Sequence, residues 1–324
     1  MPLPMPPSLP HFLTTRPSLR LTLLSLSIPS YLIARTTMSS SSTTSPTHPQ
    51  PSPPTTNQPP FPTRPYIPKH TTFPYHPHDF HRADSSTDAD FYSTPRLVTH
   101  IDDNAIRLLR EYYAGTLPRQ GRVLDLCSSW VSHFPREVEE RAISQRKKEE
   151  GDGNGKTDER GKGLEVVGLG MNAAELAANP ILRSYILQDL NTNPVLPTSL
   201  SPLTTTVCVV SIDYLTQPLD VLSSLHSLTK PGGTVHLVVS NRCFPTKAVG
   251  RWLRVSEEER LQMVGDYLHF SGWEGVEVVE LSDGQGKGAG LMGLLGGGVD
   301  PLWVVRGVKG VEGGEEKGDG KSEL

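Results

Sequence analysis

Apolar and polar positions along residues 96–309 alternate in blocks that predict short strands separated by helices. Seven apolar, β-branched segments have the length and the flanking turn residues of buried strands. They are Arg122–Leu126, Leu164–Leu169, Tyr185–Gln188, Thr206–Ser211, Val235–Ser240, Val276–Leu281 and Leu302–Val305. Strands that alternate with helices pair in parallel through right-handed crossovers. We therefore predict an α/β fold: a Rossmann-like, doubly wound, mostly parallel seven-stranded sheet with helices on both faces.

Helical spacing of apolar residues predicts the elements between the strands. The predicted helices are Arg96–Tyr113, a short helix after Val131, a helix that begins near Asn172, Pro218–Leu228 and Glu257–Phe270. Glu175 follows Asn172 at the spacing of an N-terminal cap. Lys230–Gly233 predicts a sharp turn before the fifth strand, and the last two strands form a closing pair.

Composition divides the rest of the chain into segments. Residues 1–60 are rich in Pro, Ser and Thr and predict a disordered leader. Residues 61–115 combine aromatic residues and histidines with prolines, which predicts an arm and a helix that act either as a lid or as a partner-binding tail. The main domain spans 116–309, with a charged insertion near 140–162 and a Gly-rich loop at 284–298. Residues 310–324 predict a disordered tail.

The leader also carries a localisation signal. No acidic residue precedes Asp79, while Arg16, Arg20 and Arg35 lie among many hydroxyl residues. That composition is typical of a mitochondrial transit peptide. Translation from Met38 would omit most of the leader and favours the cytoplasm, and both locations stay open. The apolar run in the leader is interrupted by Pro29 and is too short to span a bilayer.

Charge and cysteine content exclude several classes of function. The net charge is −4, and the chain has no basic excess that would favour nucleic acid or a membrane surface. The three cysteines, Cys127, Cys208 and Cys243, are too few and too scattered for a disulfide framework or a zinc site. His133, His236 and His269 are scattered, and we interpret each as structural. We predict no metal ion.

In a doubly wound sheet, ligands bind beyond the carboxyl ends of the strands, where the strand order reverses. The residues just after each strand are therefore the candidates. The first strand ends in Asp125 and is followed by Cys127, Ser128, Ser129 and Trp130, where nucleotide-binding folds have glycines. Trp130 either stacks on a flat ligand or fills the space that a ligand would need.

The order of motifs resembles the class I S-adenosylmethionine-dependent methyltransferases, in particular the type 11 methyltransferase-domain group. The resemblance covers about Gly121 to Val308, and Lys230–Gly233 is its most specific segment. The other segments that carry it are Val123–Leu126, Val166–Met171, Leu187–Leu190, Val209–Leu215 and Leu228–Thr229. Two departures from the family pattern stand out. Cys127, Ser129 and Val131 replace the glycines of the first loop. Gly170 replaces the acid that meets the ribose, a role for which Asn172 and Glu175 are alternatives.

The resemblance implies S-adenosyl-L-methionine as the cofactor and assigns site residues by position. The implied cofactor-binding residues are Asp125, Cys127, Ser128, Ser129, Trp130, Gly170, Met171, Asp189, Leu190 and Ser211. Asp189 matches the acid that meets the adenine amino group. For Asp125 the alternative is a structural acid that holds the loop, and for Asp189 it is an Asx turn.

Residues after the fourth and fifth strands face the methyl acceptor in this resemblance. Asp213 and Tyr214 are candidate catalytic residues, with Asp213 orienting or deprotonating the acceptor, or else capping the next helix. Asn241 and Arg242 are candidate substrate-binding residues, because an arginine binds a carboxylate or phosphate through two hydrogen bonds. Tyr92, His100 and Asp102 are candidates for a lid.

Three functional hypotheses follow. The first is a methyltransferase that acts on a small molecule. The second is a catalytically inactive relative that binds a protein partner, because the glycines and the ribose acid have been replaced. The third, a dinucleotide-binding protein, is disfavoured because the first turn lacks a pyrophosphate-binding fingerprint.

Overall fold

The computed structural model describes residues 61–151, 163–284 and 299–311, and for residues 145–151 only the backbone. All of these residues belong to one structural unit, Asn57–Leu324. The predicted leader, the centre of the charged insertion, the glycine run beyond Gly284 and the predicted tail beyond Val311 lie outside the described residues.

The strands of the described residues form one mixed sheet. Numbered β1 to β8 in chain order, they are Thr63–Pro65, Gly121–Leu126, Leu164–Gly170, Ser184–Leu187, Leu203–Val209, Thr229–Ser240, Glu274–Ser282 and Leu302–Val308. The order across the sheet is β1-β7-β8-β6-β5-β2-β3-β4. Strands β2 to β6 are parallel, whereas β8 lies antiparallel between β6 and β7. The predicted fold class is confirmed, with β1 as one strand more than the sequence indicates.

The α-helices of the described residues, numbered α1 to α6, are Asp88–Phe91, Asp103–Thr116, Arg136–Gly151, Ala173–Ala178, Pro218–Leu228 and Glu257–Phe270. Short 3-10 helices cover Pro77–Phe80, Thr198–Leu200 and Ile212–Tyr214. No helix among the described residues combines the length and the apolar character needed to cross a membrane.

Two apolar cores lie on opposite faces of the sheet, because successive side chains of a strand point to opposite sides. On β2, Leu124 and Leu126 belong to the core that α5 and α6 cover, whereas Val123 belongs to the core that contains α2. Each of these three side chains is fully buried. Burial on both faces explains why the central strands appear in the sequence as continuous apolar runs.

Three sequence predictions are corrected by the structure. The first helix begins at Asp103 and not at Arg96, because the Asp102 side chain accepts a hydrogen bond from the Ala105 N–H and caps it. No helix follows Val131 directly; α3 starts at Arg136. The predicted turn at Lys230–Gly233 is part of β6, where Gly232 has a φ of 72° and donates its N–H to the Lys309 carbonyl.

The segment before α2, residues 61–101, is an arm that is integrated into the domain. Strand β1 extends the sheet by pairing with β7, and the hydroxyls of Tyr66 and Tyr75 both donate to the buried carboxylate of Asp266 on α6. Gly265 is required beside this contact, since a Cβ there would lie 2.3 Å from the Tyr66 ring. The arm then crosses the carboxyl ends of the parallel strands.

Candidate active site

A cavity of about 260 Å³ lies at the carboxyl ends of the parallel strands, beneath the arm. In the sheet, β2 lies between β3 and β5. The strand order therefore reverses beside β2, at this edge of the sheet. The loops after β2, β3, β4, β5 and β6 all contribute to its lining. The arm provides the roof through Asp88, Tyr92, Arg96, Val98, His100 and Ile101.

Asp125 lies at the floor of this cavity and organises the loop above it. Its Oδ2 accepts hydrogen bonds from the hydroxyls of Ser128, at 2.6 Å, and Ser132, at 2.7 Å. Burial raises the pKa of Asp125 to about 6, against the lowering effect of these two hydroxyls. Hydroxyl side chains therefore hold this loop, in the place of the glycine turn that the resemblance implies.

The path of the loop after β2 explains why residue 170 is a glycine. The Ser128 N–H donates to the Leu169 carbonyl at the end of β3, which brings the loop across that strand. A Cβ on Gly170 would lie 2.3 Å from the Ser128 carbonyl oxygen. Gly170 lines the cavity, but close packing against the loop accounts for its lack of a side chain.

Trp130 is turned away from the space above Asp125. Its indole N–H donates to the Val98 carbonyl of the arm at 3.0 Å, and the residue is not part of the cavity lining. The prediction that Trp130 fills the cavity is wrong, and the prediction that it stacks on a ligand there has no geometric support. The hydrogen bond to Val98 instead fastens the arm to the loop.

Several predicted cofactor-binding residues do line the cavity: Cys127, Ser128, Ser129, Met171, Asp189, Leu190 and Ser211. Cys127 has a φ of 56°, a left-handed conformation that glycine adopts more easily. Asp189 also forms the predicted Asx turn, since its carboxylate accepts from the Asn191 N–H and the Thr192 hydroxyl. Their role as cofactor ligands stays a prediction.

Asn172 and Glu175 are the alternatives for ribose binding, and they differ in how far their side chains are already occupied by hydrogen bonds. The Asn172 side chain caps α4 and donates to the Tyr92 and Ser93 carbonyls of the arm. The Glu175 Oε1 accepts the Arg96 backbone N–H at 2.6 Å, and its carboxylate lines the cavity. Of the two alternatives, Glu175 is therefore the acid that lines the cavity.

The residues predicted on the acceptor side separate into two groups. Tyr214 and Arg242 line the cavity, whereas Asp213 and Asn241 do not. Asp213 is buried beneath it, and its Oδ2 has no hydrogen-bond partner in the described part of the chain. The structure thus gives no support to Asp213 as the base that contacts an acceptor. The Tyr214 hydroxyl accepts the Phe244 N–H at 2.8 Å, and burial raises the pKa of Tyr214, so this group stays protonated.

His133 is a cavity residue that sequence reasoning interpreted as structural. It is buried, lines the cavity, and its Nδ1 has no hydrogen-bond partner among the residues that the structure describes. Burial lowers the pKa of His133 to about 4, helped by Arg110 and His100, so the imidazole is neutral near pH 7. Its position in the loop after β2 was the one available sequence signal.

The buried Asp213 predicts a pH dependence of stability. Burial raises its pKa to about 8, so the folded state holds a proton that the unfolded state releases near pH 4. This contribution to stability is complete below about pH 4 and is lost as the pH rises through about 8. Replacing Asp213 with Asn, which mimics the protonated acid, should therefore stabilise the protein relative to wild type by an increasing amount between pH 5 and pH 8, reaching a few kcal/mol.

Urea unfolding of both proteins at pH 5 and pH 8 measures this difference. Titration of His133 and His236 affects both proteins alike and cancels in the comparison. If the unfolding free energies of variant and wild type differ by the same amount at the two pH values, Asp213 is ionised at both.

Comparisons with known proteins give distant structural similarity alone. No protein-family model matches the chain, and no curated protein matches its sequence. Solved structures to which the chain is similar include the S-adenosylmethionine-dependent methyltransferase SibL (TM-score 0.37, 14% identity, covering 64% of this chain and 55% of that one). Another is the Haemonchus contortus phosphoethanolamine N-methyltransferase 2 (TM-score 0.39, 15% identity, covering 64% of this chain and 53% of that one). A third is the [4+2]-cyclase SpnF (TM-score 0.40, 13% identity, covering 69% of this chain and 92% of that one). The chain spans about half the length of the first two.

Proposed function

We propose that this protein binds S-adenosyl-L-methionine in the cavity above Asp125 and transfers its methyl group to a small molecule. The observation that carries the proposal is the open space above Asp125, which Trp130 leaves free by bonding to the arm. A closed cavity would have favoured an inactive relative.

The cavity residues fit this cofactor in charge and in shape. Asp125, Glu175 and Asp189 place carboxylates along the β2–β4 side of the cavity, which suits an ammonium group, a sulfonium and ribose hydroxyls. Leu169, Met171, Leu190, Val209 and Leu215 line the same cavity with apolar surface that suits a flat base. The neutral His133 adds an unpartnered nitrogen for a polar ligand group.

The sheet order supports the same choice among nucleotide-binding folds. From β4 to β6 it follows the order 3-2-1-4-5 of dinucleotide-binding proteins, but the antiparallel β8 then takes the place of the sixth parallel strand. This arrangement, together with the missing pyrophosphate fingerprint, weighs against a dinucleotide.

The chain's own residues would align the acceptor with the cofactor and exclude water from the cavity. When bound, the cofactor would supply an electrophilic methyl group: a lone pair of the acceptor would form the new bond to the methyl carbon, and the electron pair of the broken carbon–sulfur bond would stay on sulfur. Such a displacement needs positioning and exclusion of water more than a fixed set of catalytic groups. The arm provides both, because Tyr92, Arg96 and Ile101 cover the cavity.

An inactive binding module is the second candidate, and one observation favours it. The Ser128 carbonyl packs where the family's ribose-binding acid would project from position 170. If ribose recognition is lost with that acid, the cavity would serve another ligand or only support the arm.

Calorimetric titration of the full chain with S-adenosylmethionine and S-adenosylhomocysteine separates the two candidates. We expect a dissociation constant of about 1 μM, equivalent to about −8 kcal/mol. Asp125→Asn, which keeps the size of the side chain and removes its charge, should weaken binding at least about tenfold by the loss of a charge-assisted contact. The control Asp103→Asn changes an exposed acid at the start of α2. A folded protein that binds neither ligand would establish the inactive module.

A further inference from the structure

Part of the cavity wall is built from aromatic rings. Tyr92, Tyr214 and Phe244 line it, and the rings of Tyr214 and Phe244 lie 6.0 Å apart at 30°. Phe91 packs edge-on against Phe244 at 5.4 Å, and His100 does the same from the arm. Rings held by one another in this way form a rigid surface for a flat ligand.

Arg96 is fixed over these rings. Its guanidinium carbon lies 4.3 Å from the centre of the Phe91 ring and 5.3 Å from that of Phe244. The Nη2 donates to the Phe91 carbonyl, and the backbone N–H of Arg96 donates to Glu175. Such stacking holds the guanidinium in place and leaves other N–H groups, in the plane of the fork, for a ligand.

The other charges on this side of the cavity are paired. Asp88 accepts from Arg82 at 2.8 Å and lies 3.2 Å from the Lys247 ammonium group. Arg242, the arginine that the sequence suggested for substrate binding, donates to Asp300 at 2.7 Å. Arg96 differs: among the described residues no carboxylate lies within ion-pair distance of its guanidinium. Arg96 therefore presents a guanidinium to the cavity that forms no ion pair with a described residue.

We propose that the acceptor is a flat, aromatic carboxylate, whose ring packs on Phe244 and whose carboxylate binds the guanidinium of Arg96. This inference rests on the proposed function, because it places the acceptor beside the cofactor. A guanidinium and a carboxylate form two parallel hydrogen bonds, which fixes the orientation of the acceptor as well as its affinity. The rival role for Arg96 is to bind the carboxylate of the cofactor itself.

The test compares an acid with its neutral counterpart. Binding of salicylate and of salicylamide to the full chain is measured by calorimetry in the presence of saturating S-adenosylhomocysteine. We expect salicylate to bind at least about tenfold more tightly. Arg96→Gln should abolish this preference while leaving the affinity for S-adenosylhomocysteine within about twofold. The matched control Arg107→Gln, at an exposed position on α2, should keep the preference.

Each other result overturns the inference. Equal affinity for acid and amide, or no binding of the acid, shows that the wall does not select a carboxylate. A preference that survives in Arg96→Gln assigns it to another residue. A loss of S-adenosylhomocysteine affinity in Arg96→Gln assigns the arginine to the cofactor. If the wild-type protein does not bind S-adenosylhomocysteine at all, the proposed function fails first, and that failure is visible before any acid is added.

Discussion

Replacing Gly170 with alanine should cost about 3 kcal/mol of unfolding free energy and abolish ligand binding in the cavity. The new Cβ would lie 2.3 Å from the Ser128 carbonyl oxygen, far inside contact distance. That oxygen belongs to the backbone and cannot rotate away as a side chain would. Relief therefore requires the whole loop after β2 to move, and with it the Ser128 hydroxyl that holds Asp125.

The chain offers a matched control for this substitution. Gly115 lies in α2, and a Cβ there would meet no atom within 4 Å. Gly115→Ala should stabilise the protein by about 0.5–1 kcal/mol, because alanine favours a helix over glycine. Urea unfolding of both variants, with S-adenosylhomocysteine titrations, measures the contrast. If Gly170→Ala is as stable as wild type, the loop is not packed on β3 as described.

Gly170→Asp tests the resemblance directly. It restores the acid that the family has at this position, and a simple loss of ribose recognition would be reversed by it. We expect the opposite, weaker binding than in wild type, because the side chain meets the loop before it reaches a ribose.

Replacing Lys247 with methionine should destabilise the protein by about 3 kcal/mol, because removal of one cation from a buried ion cluster leaves its carboxylates less compensated. Lys247 has no solvent exposure, lies 3.2 Å from both Asp84 and Asp88, and donates to the Ser86 carbonyl. Burial disfavours the charged form of Asp88, yet hydrogen bonds from Arg82 and Asn191 keep its pKa below the usual value. Methionine fills the same space but leaves Asp88 with one cation fewer.

The consequence extends to the roof of the cavity, since this ion cluster attaches the arm to the segment after β6. Arm release should appear as faster proteolysis within residues 82–101 and as weaker ligand binding. Lys230→Met, at an exposed position, should change stability by less than about 0.5 kcal/mol. Equal stability of Lys247→Met and wild type would show that the arm is held by its aromatic contacts alone.

Much of the fold was determined by local sequence pattern. The seven strands of the main domain were predicted because burial on both faces leaves apolar runs of strand length between turn residues. The α-helices Pro218–Leu228 and Glu257–Phe270 were predicted with the bounds that the structure has. Their apolar spacing and flanking residues are local signals. Likewise, the position of Asp125 at the end of a buried strand was enough to place it at the edge where ligands bind.

Only the tertiary structure decided what the candidate residues contact. Trp130 and Arg242 look like ligand-binding residues in the sequence, but their partners are Val98 and Asp300, distant in sequence. The sequence predicted Arg96 as the start of a helix, and its place over Phe244 depends on an arm that crosses the sheet. Strand β1 consists of three residues with no apolar pattern, and it exists because the β7 edge offers free backbone groups. Local pattern reports burial and periodicity, whereas pairing between distant segments depends on which side chains the completed fold brings together.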